Sequence, residues 1–530
     1  MMDNFPAPTR RQLLTAIGKT AGVAALYQAM TALGHAAESQ FDGPPNLQGA
    51  KKGASVVVLG AGLAGMLAAY ELRKAGYKVT ILEYQARAGG RNWSLRGGDK
   101  YTELGGATQN VAFAPGNYLN PGPWRIPHHH RTLLHYCKAF GVALEPFVQF
   151  NHNAYVHSTD AFGGKPVRYK AAAADFEGNV AELLAKSINT KALDDRLTPA
   201  DRDRMLTALK GWGMLDDDLV YKVGLRSSSH RGFERPPGGG VNGAPIPSKD
   251  LHGLPDLLDP QVWSSMSFFM GHEMATTMFQ PVGGMDMIGK GFQKQVKDLI
   301  THNAKVTKIA QDANGVTVSW QDVVKGTASE TKADYCVCTI PLGVLNQIDT
   351  QLSAPMKSAI AAVPYSGQVK IGLEMKRRFW EEDEAIYGGI SFTNQEIGLV
   401  SYPNNAFFTD KPAVLLGAFA RDVGAYHLAG MTPEERIETA LAQGSVIHPQ
   451  YRKEYLSGAS VAWSRVPWTL GCCARWTEES RKQHYQTLVA MDGRVVLAGE
   501  HASYIGCWME GALLSSIDAI TRLHKRALEA

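Results

Sequence analysis

The residues best suited to chemistry include Arg125, in the stretch Pro121-Gly122-Pro123-Trp124-Arg125-Ile126-Pro127, which runs directly into His128, His129 and His130. A metal site, a flexible basic loop and a grip for an anion are all compatible with such a stretch. Three consecutive histidines cannot all face one ion from a helix, where ligand pairs need i,i+3 or i,i+4 spacing. No cysteine or acidic cluster accompanies them in sequence, so they read as the exposed start of a helix through Leu133 and Tyr136, and no metal is expected. Arg125 is open to two readings. It is either a helix cap or a planar fork prepared for something negatively charged.

A second group of residues points to a large phosphate-bearing ligand. Ser55 to Leu59 is a continuous apolar run, as expected of a strand buried on both faces. Gly60, Gly62 and Gly65 follow in G-x-G-x-x-G spacing, enclosing Leu63 and Ala64, and Met66 to Ala75 has helical periodicity. A second strand, Lys78 to Leu82, ends in Glu83, and 83 − 60 = 23 residues separate that acid from the first glycine. The glycines allow a tight turn and close approach of backbone N–H groups to a pyrophosphate, with Glu83 placed to accept from ribose hydroxyls. The ordered set of strand, glycines, helix, strand and acid is what makes the motif specific.

The residues that follow separate a flavin from a nicotinamide nucleotide. Glu83-x-x-x-Arg87-x-Gly89-Gly90-Arg91 extends the motif, and Glu103-Leu104-Gly105-Gly106 comes soon after. Here the chain resembles the flavin-dependent amine oxidase family, and the resemblance covers nearly everything after residue 53. It implies FAD lying across the glycine loop, with Arg91 near its phosphates and flavin. Further segments match in order: Pro281-Val282-Gly283-Gly284-Met285-Asp286, a strand from Ala304 to Ile309 with Val306 at the adenine, and Cys338-Thr339-Ile340-Pro341-Leu342-Gly343-Val344-Leu345. Near the C-terminus, a strand from Arg494 to Ala498 precedes Gly499-Glu500, and Cys507-Trp508-Met509-Glu510-Gly511-Ala512 opens a helix. The resemblance places Glu500 at the ribityl or phosphate region and the Met509 N–H at the flavin edge.

Within that family, Gly122-Pro123-Trp124-Arg125 resembles the stretch in L-amino acid oxidases whose arginine grips the substrate α-carboxylate. The same resemblance assigns Tyr402 of Tyr402-Pro403-Asn404 a second contact to that carboxylate, Trp508 an aromatic wall, and the Cys507 carbonyl the amino group. Lys370 aligns with the lysine that holds a water at flavin N5. His272 stands where some members place a substrate-facing base. Gly471-Cys472-Cys473 resembles the place where monoamine oxidases link flavin to cysteine, but noncovalent FAD is the favoured reading. The implied reaction passes the substrate α-hydrogen to the flavin, leaves an imino acid that water converts to 2-oxo acid and ammonia, and reduces molecular oxygen to hydrogen peroxide. An amine oxidase for substrates without a carboxylate and an L-amino acid 2-monooxygenase are the rival enzymes. A flavin-bearing binding protein without turnover is the rival outside enzymes.

The expected fold is α/β. A discontinuous Rossmann-like FAD-binding domain is drawn from 51–122, 275–345 and 460–530. A helical insert and substrate region (123–274) and a second, mixed-sheet substrate domain (346–459) lie between these parts. The glycine-rich stretch beginning at Arg235 reads as an irregular loop. Across 530 residues, 45% are apolar and 20% charged, and the net charge of +4 is spread without a basic block, which gives no sign of a nucleic-acid partner. Six cysteines do not make a disulfide framework in a chain of this length, and adjacent Cys472 and Cys473 suit neither a metal nor an unstrained disulfide. Thr9-Arg10-Arg11-Gln12-Leu13-Leu14 precedes a mildly apolar stretch ending near Ala36 and Ala37, too polar for a membrane span. It resembles a twin-arginine signal over 1–37, which implies a periplasmic or secreted enzyme. A homodimer is the common arrangement in the family.

Overall fold

The computed structural model describes residues 41–529 except 52, 194, 195 and 275. The expected export signal at 1–37 therefore lies outside the described residues. Strand Ser55–Leu59 is the centre of a five-stranded parallel sheet, flanked by Lys78–Leu82 and Tyr335–Cys338, with Ile300–Thr301 and Val495–Leu497 at the edges. Alternate residues feed two separate cores. Val56 and Val58 join the cluster under the helices, while Val57 and Leu59 join Cys336, Cys338 and Leu497 on the other face. Burial on both faces is why this strand has no polar alternation. Cys336 and Cys338 are core residues on a strand.

Helix Leu63–Lys74 begins directly after Gly62 and packs under the C-terminal helix Met509–Glu529, where Ser516 Oγ donates to the Ala64 carbonyl at 2.7 Å. Glu510, in the first turn of that C-terminal helix, accepts from the N–H groups of Thr132 (3.0 Å) and Leu133 (2.8 Å). Those are orphan donors of helix Arg131–Ala139, so one buried carboxylate caps a second helix from outside it.

A second, seven-stranded sheet is mixed. Gln368–Met375 runs antiparallel between Ala413–Arg421 and Tyr455–Ala462, while Tyr155–His157 pairs in parallel with Ile390–Thr393. Side chains alternate across it. Val369, Ile371, Val400, Tyr402, Ala418 and Ala420 enter one core, and Gln368, Lys370, Leu399, Phe419 and Arg421 line a cavity on the other side.

The insert holds helices Tyr169–Asn189, Pro199–Trp212 and Leu225–Arg231 around Asp175. This fully buried carboxylate takes two bonds from Arg231 (2.8 and 2.9 Å), one from the Tyr221 hydroxyl (2.7 Å) and one from the His252 N–H (2.9 Å). Residues 236–245 form the expected irregular connection, closing a hairpin of Phe233–Arg235 and Ile246–Pro247. Among the described residues, no helix is long and apolar enough to cross a membrane.

Candidate active site

The two sheets face each other across a cavity of about 1060 Å³, larger than most small-molecule pockets and continuous from the glycine loop to Arg125. At the glycine loop, each glycine has a distinct physical reason. Gly60 has φ +102°, which disfavours a side chain, and a Cβ on Gly65 would lie 2.0 Å from the Gly60 carbonyl oxygen. Gly62 lines the cavity, and a Cβ there would meet no atom of the described residues within 4 Å. No side chain caps the helix that starts after it, so its first-turn N–H groups at Leu63 and Ala64 are available to a ligand lining the same cavity. Glu83 is buried. Its two oxygens accept from the N–H groups of Ala61 (2.6 Å) and Gln85 (2.8 Å), which holds it at the cavity wall with lone pairs remaining. Burial pushes its carboxyl up, against these two bonds and the nearby Arg87.

In the middle of the cavity, Arg91 donates to Glu500 Oε1 (2.8 Å) and the Cys472 carbonyl (2.6 Å). Glu500 also accepts from the N–H groups of Ala474 (3.1 Å) and Cys507 (3.2 Å). Cys473 and Cys507 are joined by a disulfide, so Glu500 and the disulfide clamp the same two chain segments. Sequence spacing gave no sign of this bond, because 34 residues and the whole of helix Glu478–Val489 separate its ends. Cys472 is a free thiol in the cavity wall, bonded to Gln368 Oε1 at 3.0 Å and pushed up to about 11 by burial.

At the far end, Arg125 is 4% exposed. Its Nη2 touches Met274 Sδ at 2.7 Å, while Nε and Nη1 are buried without an acceptor among the described residues. Aromatic rings of Trp124, Phe268 and Trp508 lie 4.4, 5.6 and 6.0 Å from its guanidinium carbon. Burial, with Arg421 adding repulsion, pulls the guanidinium down to about 9. An unpaired buried cation is costly, and a ligand carboxylate would offset that cost. Lys370 is 3% exposed, donates to the Gly122 carbonyl at 2.5 Å and sits 4.6 Å from the Phe419 ring centre. Burial pulls its amine down to about 7; Cys472 opposes this and Arg125 reinforces it.

Residues 63–523 match the profile of the flavin-containing amine oxidoreductases. The chain belongs to this family. It is 28% identical over 491 residues to an L-amino-acid oxidase of the fish Siganus canaliculatus, covering 89% of this chain and 86% of that protein. It is 27% identical over 476 residues to an L-amino-acid oxidase of the viper Vipera ammodytes ammodytes, covering 88% and 91%. Among solved structures, cyclohexylamine oxidase from Brevibacterium oxydans aligns with TM-score 0.60 at 18% identity, over 90% of this chain and all of that one. A putrescine oxidase variant aligns with TM-score 0.57 at 17% identity, over 90% and 99%. These two establish the fold: an FAD-binding Rossmann-like unit with a mixed-sheet unit. The cofactor of this flavin-containing oxidoreductase is FAD, and the open side of Gly62, the uncapped helix start and Glu83 fit its pyrophosphate and ribose.

Most sequence-predicted site residues of this amine oxidoreductase come together around the one cavity. Gly60, Gly90, Arg91, Gly122, Pro123, Trp124, Val306, Glu500, Cys507, Trp508 and Met509 line it with those described above. Four do not. Gly65 packs against Gly60, and Arg87 turns back to the carbonyls of Ala88 and Gly90 and over the Trp93 ring, bracing the loop. Tyr402 points to the opposite face of its sheet, where its hydroxyl bonds to Ser391 Oγ (2.6 Å) and His448 Nε2 (2.7 Å). It cannot add a contact to a carboxylate at Arg125. His272 is exposed, with its ring 4.4 Å from that of His129, and it is outside the cavity wall. In its segment, Met274 reaches Arg125 instead.

The histidine run also differs from its expectation. His129 and His130 are 4% and 1% exposed, and they precede the helix rather than lying in it. Strand Ile126–Pro127 leads into a tight turn, with Arg131 N–H donating to the His129 carbonyl, so helical spacing does not govern these side chains. Both rings reach Glu273 Oε2 through Nε2, His129 at 3.3 Å and His130 at 2.7 Å.

Proposed function

We propose that this oxidoreductase is an FAD-dependent L-amino acid oxidase, converting an L-amino acid, oxygen and water into a 2-oxo acid, ammonia and hydrogen peroxide. The observation that carries the reading is Arg125, a guanidinium buried in the wall of a flavin-family cavity with two nitrogens lacking an acceptor among the described residues. A simple amine has nothing to satisfy it; an α-carboxylate satisfies it through both parallel donors. Trp124, Phe268 and Trp508 keep water from that ion pair and present an apolar wall suited to large apolar or aromatic side chains. The Cys507 carbonyl, held by the disulfide and by Glu500, is the acceptor proposed for the amino group. With the carboxylate and the amine both fixed, the α-carbon has one orientation. Lys370 is proposed to place positive charge where oxygen acquires negative charge. Bound FAD supplies the hydride acceptor.

The twin-arginine reading of residues 1–37 gains support from the Cys473–Cys507 disulfide, because such bonds persist outside the reducing cytoplasm. Periplasmic or secreted residence is proposed on both grounds.

Anaerobic mixing with a panel of L-amino acids and their decarboxylated amines tests the reading. Bleaching of the flavin by amino acids alone is expected, with peroxide and ammonia released in air and no carbon dioxide. Equal bleaching by the amines would make this an amine oxidase, stoichiometric carbon dioxide would make it a monooxygenase, and no bleaching by any of them would remove the enzymatic reading.

A further inference from the structure

Behind Arg125 lies a cluster that the flavin chemistry does not use. His129 and His130 follow strand Ile126–Pro127, and Glu273 lies in the short helical turn His272–Met274, 143 residues from His130. Their ligand-capable atoms, two imidazole nitrogens and one carboxylate oxygen, all lie within 4.8 Å of one another. We propose that His129, His130 and Glu273 form a divalent-cation site of zinc type, tying the segment that carries Arg125 to the segment that carries Met274.

The donor set is that of zinc sites with three protein ligands and one position left for water: two imidazoles and a carboxylate. Metal–ligand distances near 2.0–2.1 Å at tetrahedral angles separate neighbouring donors by about 3.4 Å. The His129 Nε2 to Glu273 Oε2 distance of 3.3 Å already meets this. The His130 contact of 2.7 Å is a hydrogen bond and must open by roughly 0.7 Å. Glu273 can supply that movement, since its side chain is 29% exposed while both rings are packed. The same exposure gives an ion its way in. Each ring's Nδ1 is buried without a partner among the described residues, so no second bond from these fixes the tautomer. The ring proton can move to Nδ1 and free the Nε2 lone pair for a metal. The neighbours are placed for a built site as well. The His130 ring lies 5.0 Å from Trp508, and exposed His272 covers His129 at 4.4 Å. This inference does not rest on the identity of the organic substrate.

The test uses the full, FAD-loaded protein, stripped with chelator and titrated with cobalt(II) or zinc(II). One cobalt per chain is expected, with the intense visible d–d absorption of a tetrahedral N/N/O set at wavelengths longer than the flavin bands. Glu273→Gln should keep the FAD spectrum and the fold but weaken metal binding by at least about 100-fold. His129→Gln or His130→Gln should do the same, which covers the case in which one variant fails to fold. His128→Gln and His272→Gln should retain the cobalt spectrum, since neither belongs to the donor set. Binding weaker than about 1 mM in the wild type, or a cobalt spectrum that survives Glu273→Gln and both single-histidine variants, overturns the site and leaves a hydrogen-bonded cluster. A cobalt spectrum lost in His272→Gln but kept in Glu273→Gln would also overturn it, by moving the ion to the exposed surface.

Discussion

Two arginines lining the same cavity behave in opposite ways. Arg91, in the flavin half, is matched by Glu500 and a backbone carbonyl. Arg125, at the far end, is surrounded by aromatic rings and a thioether and matched by no acid among the described residues. The protein completes the first pair itself, so that arginine shapes the cavity whether or not ligand is present. The second is left to be completed by something that enters. A charge satisfied within the fold is a structural anchor; a buried charge left unsatisfied in a cavity wall invites a ligand.

The largest expected effect tests the flavin half itself. Gly62→Val should purify without yellow colour, because its side chain would occupy the open side of the loop where the pyrophosphate must approach. A stoichiometric flavin spectrum from this variant would remove the loop from cofactor binding.

Next, the two arginines should separate by measurement. Arg91→Met strands the Glu500 carboxylate in a buried position and should cost about 3–5 kcal/mol of stability by denaturant titration. Arg125→Met keeps the side-chain stem and removes an unpaired charge, so substrate-free stability should be unchanged or higher. The same Arg125→Met change should lower kcat/KM for an L-amino acid by roughly 10²–10⁴-fold, the cost of losing a desolvated charge pair. Arg125→Lys should recover only part of this, since a point charge lacks the planar fork. Equal losses of stability in the two methionine variants would collapse the comparison.

A smaller effect concerns Lys370, whose amine burial holds near pH 7. The cation is present below that pH and lost as pH rises through it. Flavin reoxidation by oxygen should therefore slow as pH rises through about 7, and Lys370→Met should be slow and flat across the same range. Stopped-flow reoxidation traces read this directly, and an unchanged wild-type profile would assign Lys370 to structure. The folded protein binds fewer protons here than the unfolded chain between about pH 7 and 10.5, so this group also makes stability rise with pH over that window.

The smallest effect is expected at Tyr402. Tyr402→Phe should cost about 1 kcal/mol of stability for the lost hydroxyl bonds and leave kcat/KM within about twofold. A large kinetic loss there would return Tyr402 to the substrate.

The flavin half was legible because its signals are contiguous. Ser55–Leu59, the three glycines, helix Leu63–Lys74, Lys78–Leu82 and Glu83 follow each other within one strand–helix–strand unit, and local sterics alone dictate the turn. Arg125 was legible through its neighbours, and its aromatic surroundings were partly visible in Trp124. What the chain could not reveal locally are directions and meetings. Tyr402 fell on the wrong face because strand alternation depends on register: Leu399 faces the cavity, so Val400 and Tyr402 face the other core. The burial of His129 and His130 depended on a turn that breaks helical spacing, and their meeting with Glu273 on chain brought back from residue 273. The same holds for Cys473 and Cys507, which no spacing pairs and which meet where Glu500 bonds to both segments and to Arg91. The sequence by itself determined the cofactor loop and the chemical types available, since these rest on interactions within a few residues. Tertiary structure alone decided which side chains are paired, which face the cavity and which charge is left unsatisfied, because each of those depends on contacts between segments far apart in the chain.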